Sequence, residues 1–251
     1  MASSKLISCL FFLSSIAILV QTVNSLDPLV HICSNSLFTA NSDYAQNLKN
    51  LLGDLNSKTP PTGFSTSSMG RKPDRTYGLS LCRGDVSNTD CKSCVLAASQ
   101  EIGKRCPYRK EGIIWYNKCL LKYSDDCFKG EIDDTNKFIW WNSSAIANPE
   151  FIAIITKEML GCIAEKAYNG PNFFATKEMN IVNNEKWYGL VQCTRDLSKE
   201  DCKKCLEGII SQLPISGKRG GRVVGGSCNF RFEVYPFFNT LQKLEYIMLN
   251  K

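Results

Sequence analysis

One histidine, His31, is all that 251 residues contain. Catalysis through an imidazole base, and metal centres built on histidine, ask for more than that. His31 stands two residues before Cys33 at the start of an extended stretch and reads as an ordinary strand or surface residue. No G-x-S-x-G, H-E-x-x-H or glycine-rich phosphate loop is present. Gly217, Gly220, Gly221, Gly225 and Gly226 resemble a phosphate loop only loosely, because they flank Val223 and Val224 and read better as hairpin turns. The chain is therefore expected to be no enzyme and to need no metal and no cofactor. Strong charge is lacking too. The net +6 is scattered apart from Lys218, Arg219 and Arg222, which argues against a nucleic-acid partner. After Val20 there is no long apolar run and no lipid-anchor tail, so no membrane span is expected and the mature chain should be soluble.

The first 25 residues hold a single cation, Lys5, an apolar run from Leu10 to Val20, and then Val23, Asn24 and Ser25. That order suits a secretory signal removed after Ser25, since the run is too short and too early to span a bilayer. Removal would lower the charge to +5, take away Cys9 and leave 12 of the 13 cysteines. An even number of thiols in an oxidising compartment points to disulfides, not zinc. The remaining residues, about 226, divide into two domains of ordinary size.

One cysteine phrase occurs twice. Tyr77, Gly78 and Leu79 lead to Cys82, Cys91 and Cys94, and Tyr188, Gly189 and Leu190 lead to Cys193, Cys202 and Cys205. A tripeptide and two spacings shared about a hundred residues apart mark a tandem repeat. In the first repeat, Tyr44, Leu48, Leu51, Leu52 and Leu55 recur at helical spacing behind a cap at Asp43, and Pro60, Pro61 and Gly63 should stop that helix. Phe64 to Met69 and Thr76 to Leu81 alternate like strands. A second helix starts near Asn88 or Thr89, and closing strands cover Gly112 to Tyr116 and Lys118 to Tyr123. The second repeat has helices at Pro149 to Tyr168 and Ser198 to Leu213, with strands at Phe173 to Lys177, Trp187 to Cys193, Arg222 to Val224 and Cys228 to Tyr235. This order predicts an α+β fold of two tandem modules, with helices stacked on one face of an antiparallel sheet. Module one is expected over 27–129 and module two over 138–243, joined by 130–137. Phe138, Ile139, Trp140 and Trp141 are too aromatic for a flexible spacer and should begin module two or hold the modules together.

The doubled C-x8-C-x2-C, the Y-G-L lead-ins, the stretch from Gly225 to Glu233 and the leader make the chain resemble plant cysteine-rich repeat secretory proteins, whose modules are called Gnk2-homologous, DUF26 or salt-stress/antifungal domains. The resemblance covers nearly the whole mature chain. It implies two helices on a five-stranded antiparallel sheet per module, stapled by disulfides. It also implies the pairs Cys33–Cys106, Cys82–Cys91 and Cys94–Cys119, then Cys193–Cys202 and Cys205–Cys228. The third pair of module two is missing, because the chain reads Leu213, Pro214, Ile215, Ser216, Gly217 where the family has cysteine. Cys127 and Cys162 remain, and parity leads to the expectation of an inter-module Cys127–Cys162 bridge.

Lectin-like members of the family hold mannose with an Asn after the first cysteine position and an Arg and a Glu around the last. An Arg fork donates, a carboxylate accepts from paired hydroxyls, and an amide does both. In module one the matching positions hold Ile113 and Ser124, with Asn35 one place out beside Ser34, so that site is expected to be lost. In module two the resemblance places Asn142, Arg222 and Glu233 as the ligand set. Arg231 shares a strand face with Glu233 and competes for it. Asn142, Ser143 and Ser144 also form an N-glycosylation sequon, and a glycan on Asn142 would bar that residue from holding a free sugar. The family analogy implies a secreted, apoplastic defence or stress protein that binds mannose-type glycans with an antifungal effect. The alternative is an interaction module for receptor ectodomains or cell-wall proteins.

Overall fold

A computed structural model describes residues 27–181 and 185–239. The expected signal segment and the residues after Asn239 lie outside this range. Two sheets form. Module one contains β1 (Val30–Cys33), α1 (Asp43–Thr62), β2 (Phe64–Met69), β3 (Thr76–Cys82), α2 (Asn88–Arg105), β4 (Gly112–Trp115) and β5 (Cys119–Ser124). Module two repeats the order with β6 (Lys137–Trp141), α3 (Pro149–Asn169), β7 (Phe174–Asn180), β8 (Lys186–Cys193), α4 (Lys199–Ile210), β9 (Gly220–Gly225) and β10 (Cys228–Glu233). The strand orders are β1-β4-β5-β3-β2 and β6-β9-β10-β8-β7, antiparallel throughout. The aromatic stretch is thus an edge strand of module two.

Serines cap three of the helices, Ser42 and Ser87 one residue ahead of the expected caps and Ser198 at the expected start of its helix. Ser42, Ser87 and Ser198 accept from the backbone N–H groups of Ala45, Asp90 and Asp201 and satisfy donors that have no partner inside the helix. α1 also runs past Leu55 to Thr62 and takes Pro60 and Pro61 into its last turn. Thr59 and Pro60 are buried there, and the helix ends at Gly63, whose φ of 75° is a left-handed conformation that glycine adopts freely.

Cys91 and Cys94 lie three apart on one face of α2, so one helix reaches two strands: Cys91 bonds Cys82 of β3 and Cys94 bonds Cys119 of β5. In module two Cys202 and Cys205 of α4 bond Cys193 of β8 and Cys228 of β10 in the same way. Cys33 and Cys106 tie β1 to the end of α2. The expected Cys127–Cys162 bridge is absent, and both thiols are free. Cys127 is exposed on the loop after β5, whereas Cys162 lies half-buried on α3, where its Sγ accepts from Lys177 Nζ at 3.5 Å. The layer order explains this, since α3 covers the face of its sheet that points away from module one.

Alternation along the strands makes each sheet two-faced. Gly78 and Leu121 face α1 and α2, while Leu79, Leu81, Ile113, Trp115 and Leu120 face the other way and pack with Val224 and Phe138 of module two. The modules therefore join through the sheet faces that carry no helices. Trp115 Nε1 donates to Gly225 O and Gln192 Nε2 to Cys82 O, each at 3.0 Å and buried, so these two donors in the seam are paired.

A part-buried ion pair closes one end of the seam. Lys122 Nζ of β5 donates to Asp133 Oδ2, and Asp133 N donates to Ser227 Oγ in the turn between β9 and β10. Burial would raise the Asp133 pKa, but hydrogen bonds from Lys122 and Asn136 outweigh it and hold the carboxyl below its ordinary range. A lowered folded-state pKa contributes stability above the unfolded value, and that stability is lost as pH falls through the folded one. Asp133→Asn should thus cost about 1.5–3 kcal/mol at neutral pH. In denaturant titrations the gap to wild type should hold from pH 7 to about 5 and close only below about pH 4. A gap that ignored pH would remove the ion pair from the account.

Candidate functional site

Residues of the same sheet row meet at the rim of the seam. Trp140, Arg222 and Arg231 stand opposite one another across β6, β9 and β10, and Gly220 and Glu233 form the next pair on that face. With Asn142, Trp141, Gly221 and Tyr235, and with Leu29 and Asn117 of module one, they line a cavity of about 470 Å³. Asn142, Arg222 and Glu233 are thus brought together.

The register explains why Asn142 belongs there without a cysteine before it. In module one Cys33 pairs with Gly112, and in module two the corresponding glycine, Gly221, pairs with Trp141. Trp141 therefore stands where module one has Cys33, and its ring packs against Phe230 and the core in place of a bridge. A Cβ on Gly221 would sit 2.4 Å from the Trp141 ring, and one on Gly220 would sit 2.2 Å from Glu233 Oε2. These two glycines and Gly225 lie within β9, not in turns as expected. Close approach of side chains, not chain reversal, is what requires glycine at 220 and 221.

Glu233 pairs with Arg231, Nε to Oε1 at 3.0 Å, and not with Arg222. Arg231 also donates to Tyr235 Oη at 3.0 Å and lies 4.3 Å from the Phe237 ring centre, so this pair is fixed from several sides. Arg222 instead reaches across the seam: its Nη1 donates to Asn117 Oδ1 at 2.6 Å and its Nη2 to Tyr116 O at 3.5 Å. Burial, then the neighbouring Arg231 and Arg83, push its pKa down to about 9 against the pull of Glu233, and the guanidinium stays charged at neutral pH. Asn142 lines the cavity, and its Oδ1 accepts from Ser144 N at 2.8 Å.

The matching cavity of module one, about 260 Å³, has Ile113 and Ser124 where module two has Arg222 and Glu233, and its carboxylates are Glu111, Asp126 and Glu131 instead. Asn35 is exposed, and its carbonyl accepts from Arg109. His31 lies in β1 opposite Ile114. Glu111, Asp125 and Asp126 bring carboxylate oxygens within 4.8 Å of one another, but two of the three are exposed and Lys110 already pairs with Asp125 at 3.1 Å. Exposed acidic groups of this kind are common without an ion.

The family described as salt stress response/antifungal matches residues 32–126 and 147–235. The chain belongs to the salt stress response/antifungal family. Within it, the chain is 52% identical over 240 residues to an antimicrobial ginkbilobin-2-like protein of Castanea crenata, covering 94% of this chain and 99% of that one. It is 50% identical over 218 residues to cysteine-rich repeat secretory protein 38 of Arabidopsis thaliana, covering 84% and 86%. Among solved structures, the tandem DUF26 ectodomain of the Arabidopsis receptor-like protein PDLP5 superposes with a TM-score of 0.70 at 25% identity, covering 83% of this chain and all of that one. The family's relatives are secretory proteins and receptor ectodomains, and no described helix here is long and apolar enough to cross a membrane.

Arg231, Asn117, Trp141 and Tyr235 complete the site and escaped the sequence reading as site residues. For Arg231 a signal existed in the period-2 spacing to Glu233. For Asn117, 105 residues from Arg222, none did.

Proposed function

We propose that this salt stress response/antifungal family member is a secreted, non-enzymatic glycan-binding protein that holds a sugar in the module-two cavity and acts outside the cell in defence. The convergence of Asn142, Arg222 and Glu233 in one aromatic-walled cavity carries the reading. Its volume falls in the range of small-molecule sites. Trp140 and Tyr235, 40% and 48% exposed, offer apolar surface to the C–H face of a pyranose ring, and Glu233 and Asn142 offer acceptors and a donor to its hydroxyls. The antimicrobial name of the chestnut relative supports the defence role.

Mannose-type chains are the first class to try. Material made without N-glycans, so that Asn142 is bare, should give a calorimetric signal with yeast mannan that Arg222→Ala and Glu233→Ala each weaken about tenfold or more. A signal unchanged in both variants would place binding elsewhere. The second reading, a protein-interaction module, rests on Ile139 and Trp140, 38% and 40% exposed on the edge strand β6. It would gain if Trp140→Ala abolished capture of a cell-wall protein while glycans bound nowhere.

A further inference from the structure

The charges of the cavity do not balance. Two arginines, Arg222 and Arg231, face each other across β9 and β10, an arrangement that repels, and a single carboxylate, Glu233, answers them. That carboxylate is engaged by Arg231. Arg222 keeps only neutral acceptors, the Asn117 amide oxygen and the Tyr116 carbonyl, and the nearby Arg83 is itself paired with Asp85. A part-buried guanidinium normally has a counter-ion, because a charge that has lost some of its water and is unpaired is costly.

The first repeat shows the alternative. At the positions of Arg222 and Arg231 it carries Ile113 and Lys122, and Lys122 is paired with Asp133, with side-chain exposures of 13% and 9%. The cavity of that copy carries no surplus positive charge, since Glu111, Asp126 and Glu131 line it beside Lys122. In module two the surplus positive charge faces a cavity open to solvent, with Trp140 beside Arg222 in the same row and the Glu233 carboxylate lying over Gly220.

Resting on the glycan-binding reading above, we propose that the module-two cavity selects sugar chains bearing a carboxylate, that is, uronic acids, with Arg222 as the residue that meets the carboxylate. A planar guanidinium and a carboxylate match fork to fork, and the ligand's charge supplies the counter-ion that the protein omits. A neutral hexose satisfies the hydroxyl-binding groups but leaves Arg222 unanswered.

The test titrates glycan-free protein with trigalacturonic acid, its methyl ester, yeast mannan and sodium acetate. The acid should bind at least tenfold more tightly than the ester, which has the same shape without the charge, and its advantage should shrink in high salt. Arg222→Gln keeps a donor toward Asn117 and should lose the preference for acid over ester. Arg222→Lys, a second variant with the charge retained, should keep part of it. Equal binding of acid and ester, or a preference that survives in Arg222→Gln, overturns the proposal while binding of mannan leaves the glycan-binding reading standing. Acetate competing as well as the trisaccharide would reduce the site to an anion site and overturn the proposal too. If no sugar binds at all, both readings fall together.

Discussion

Trp115→Ala should destabilise the folded chain by about 3–5 kcal/mol and split its unfolding into two transitions. Trp115 is 3% exposed at the centre of the seam, where its indole N–H donates to Gly225 O and its ring meets Phe138 edge-on with centroids 6.1 Å apart. Truncation removes the apolar contact, leaves a cavity between two sheets that cannot close around it, and strands a buried carbonyl. The helices and bridges on the outer faces are untouched, so each module keeps the core enclosed by its own helices. Calorimetry of the variant beside wild type decides the point. A single transition at an unchanged midpoint would mean that the seam contributes little.

The second large effect separates the bridges by the length of chain they enclose. Cys33–Cys106 spans 73 residues, Cys94–Cys119 spans 25 and Cys82–Cys91 spans 9. If restriction of the unfolded chain dominates, double replacement of the first pair by alanine should cost about 4 kcal/mol and of the last about 2.5 kcal/mol. Module two has no counterpart of the long link and should be the first to melt once Trp115 is gone. Denaturant midpoints of the paired variants test the order. Equal losses for the 73-residue and 9-residue pairs would show that local packing of the sulfurs, not chain restriction, sets their worth.

The fold was largely legible because the cysteines report it twice. A helix that carries two cysteines three residues apart, with partners in flanking strands, leaves little freedom for the elements between, and those elements form near the places where periodicity puts them. The differences have local causes. A serine one place upstream makes a better cap than Asn88 or Asp43, and a helix tolerates Pro60 and Pro61 when Gly63 ends it cleanly. The glycines of β9 escaped because a missing Cβ looks the same in one dimension whether it serves a turn or a close approach. The free thiols of Cys127 and Cys162 show the limit of counting, since parity says nothing about which side of a sheet a sulfur occupies. The candidate site was half legible. The family resemblance, counted from Cys228, pointed to Arg222 and Glu233, but their actual partners depend on register and on docking of the other module.

The bond from Arg222 to Asn117 has a further consequence for how such proteins diversify. A wall of this cavity belongs to the neighbouring copy, so a lone second copy grafted into another polypeptide would arrive with the cavity incomplete. If the cavity holds a ligand as proposed, selection on ligand choice acts on the duplicated pair as one heritable block, with substitutions near Asn117 as consequential as those in the cavity itself.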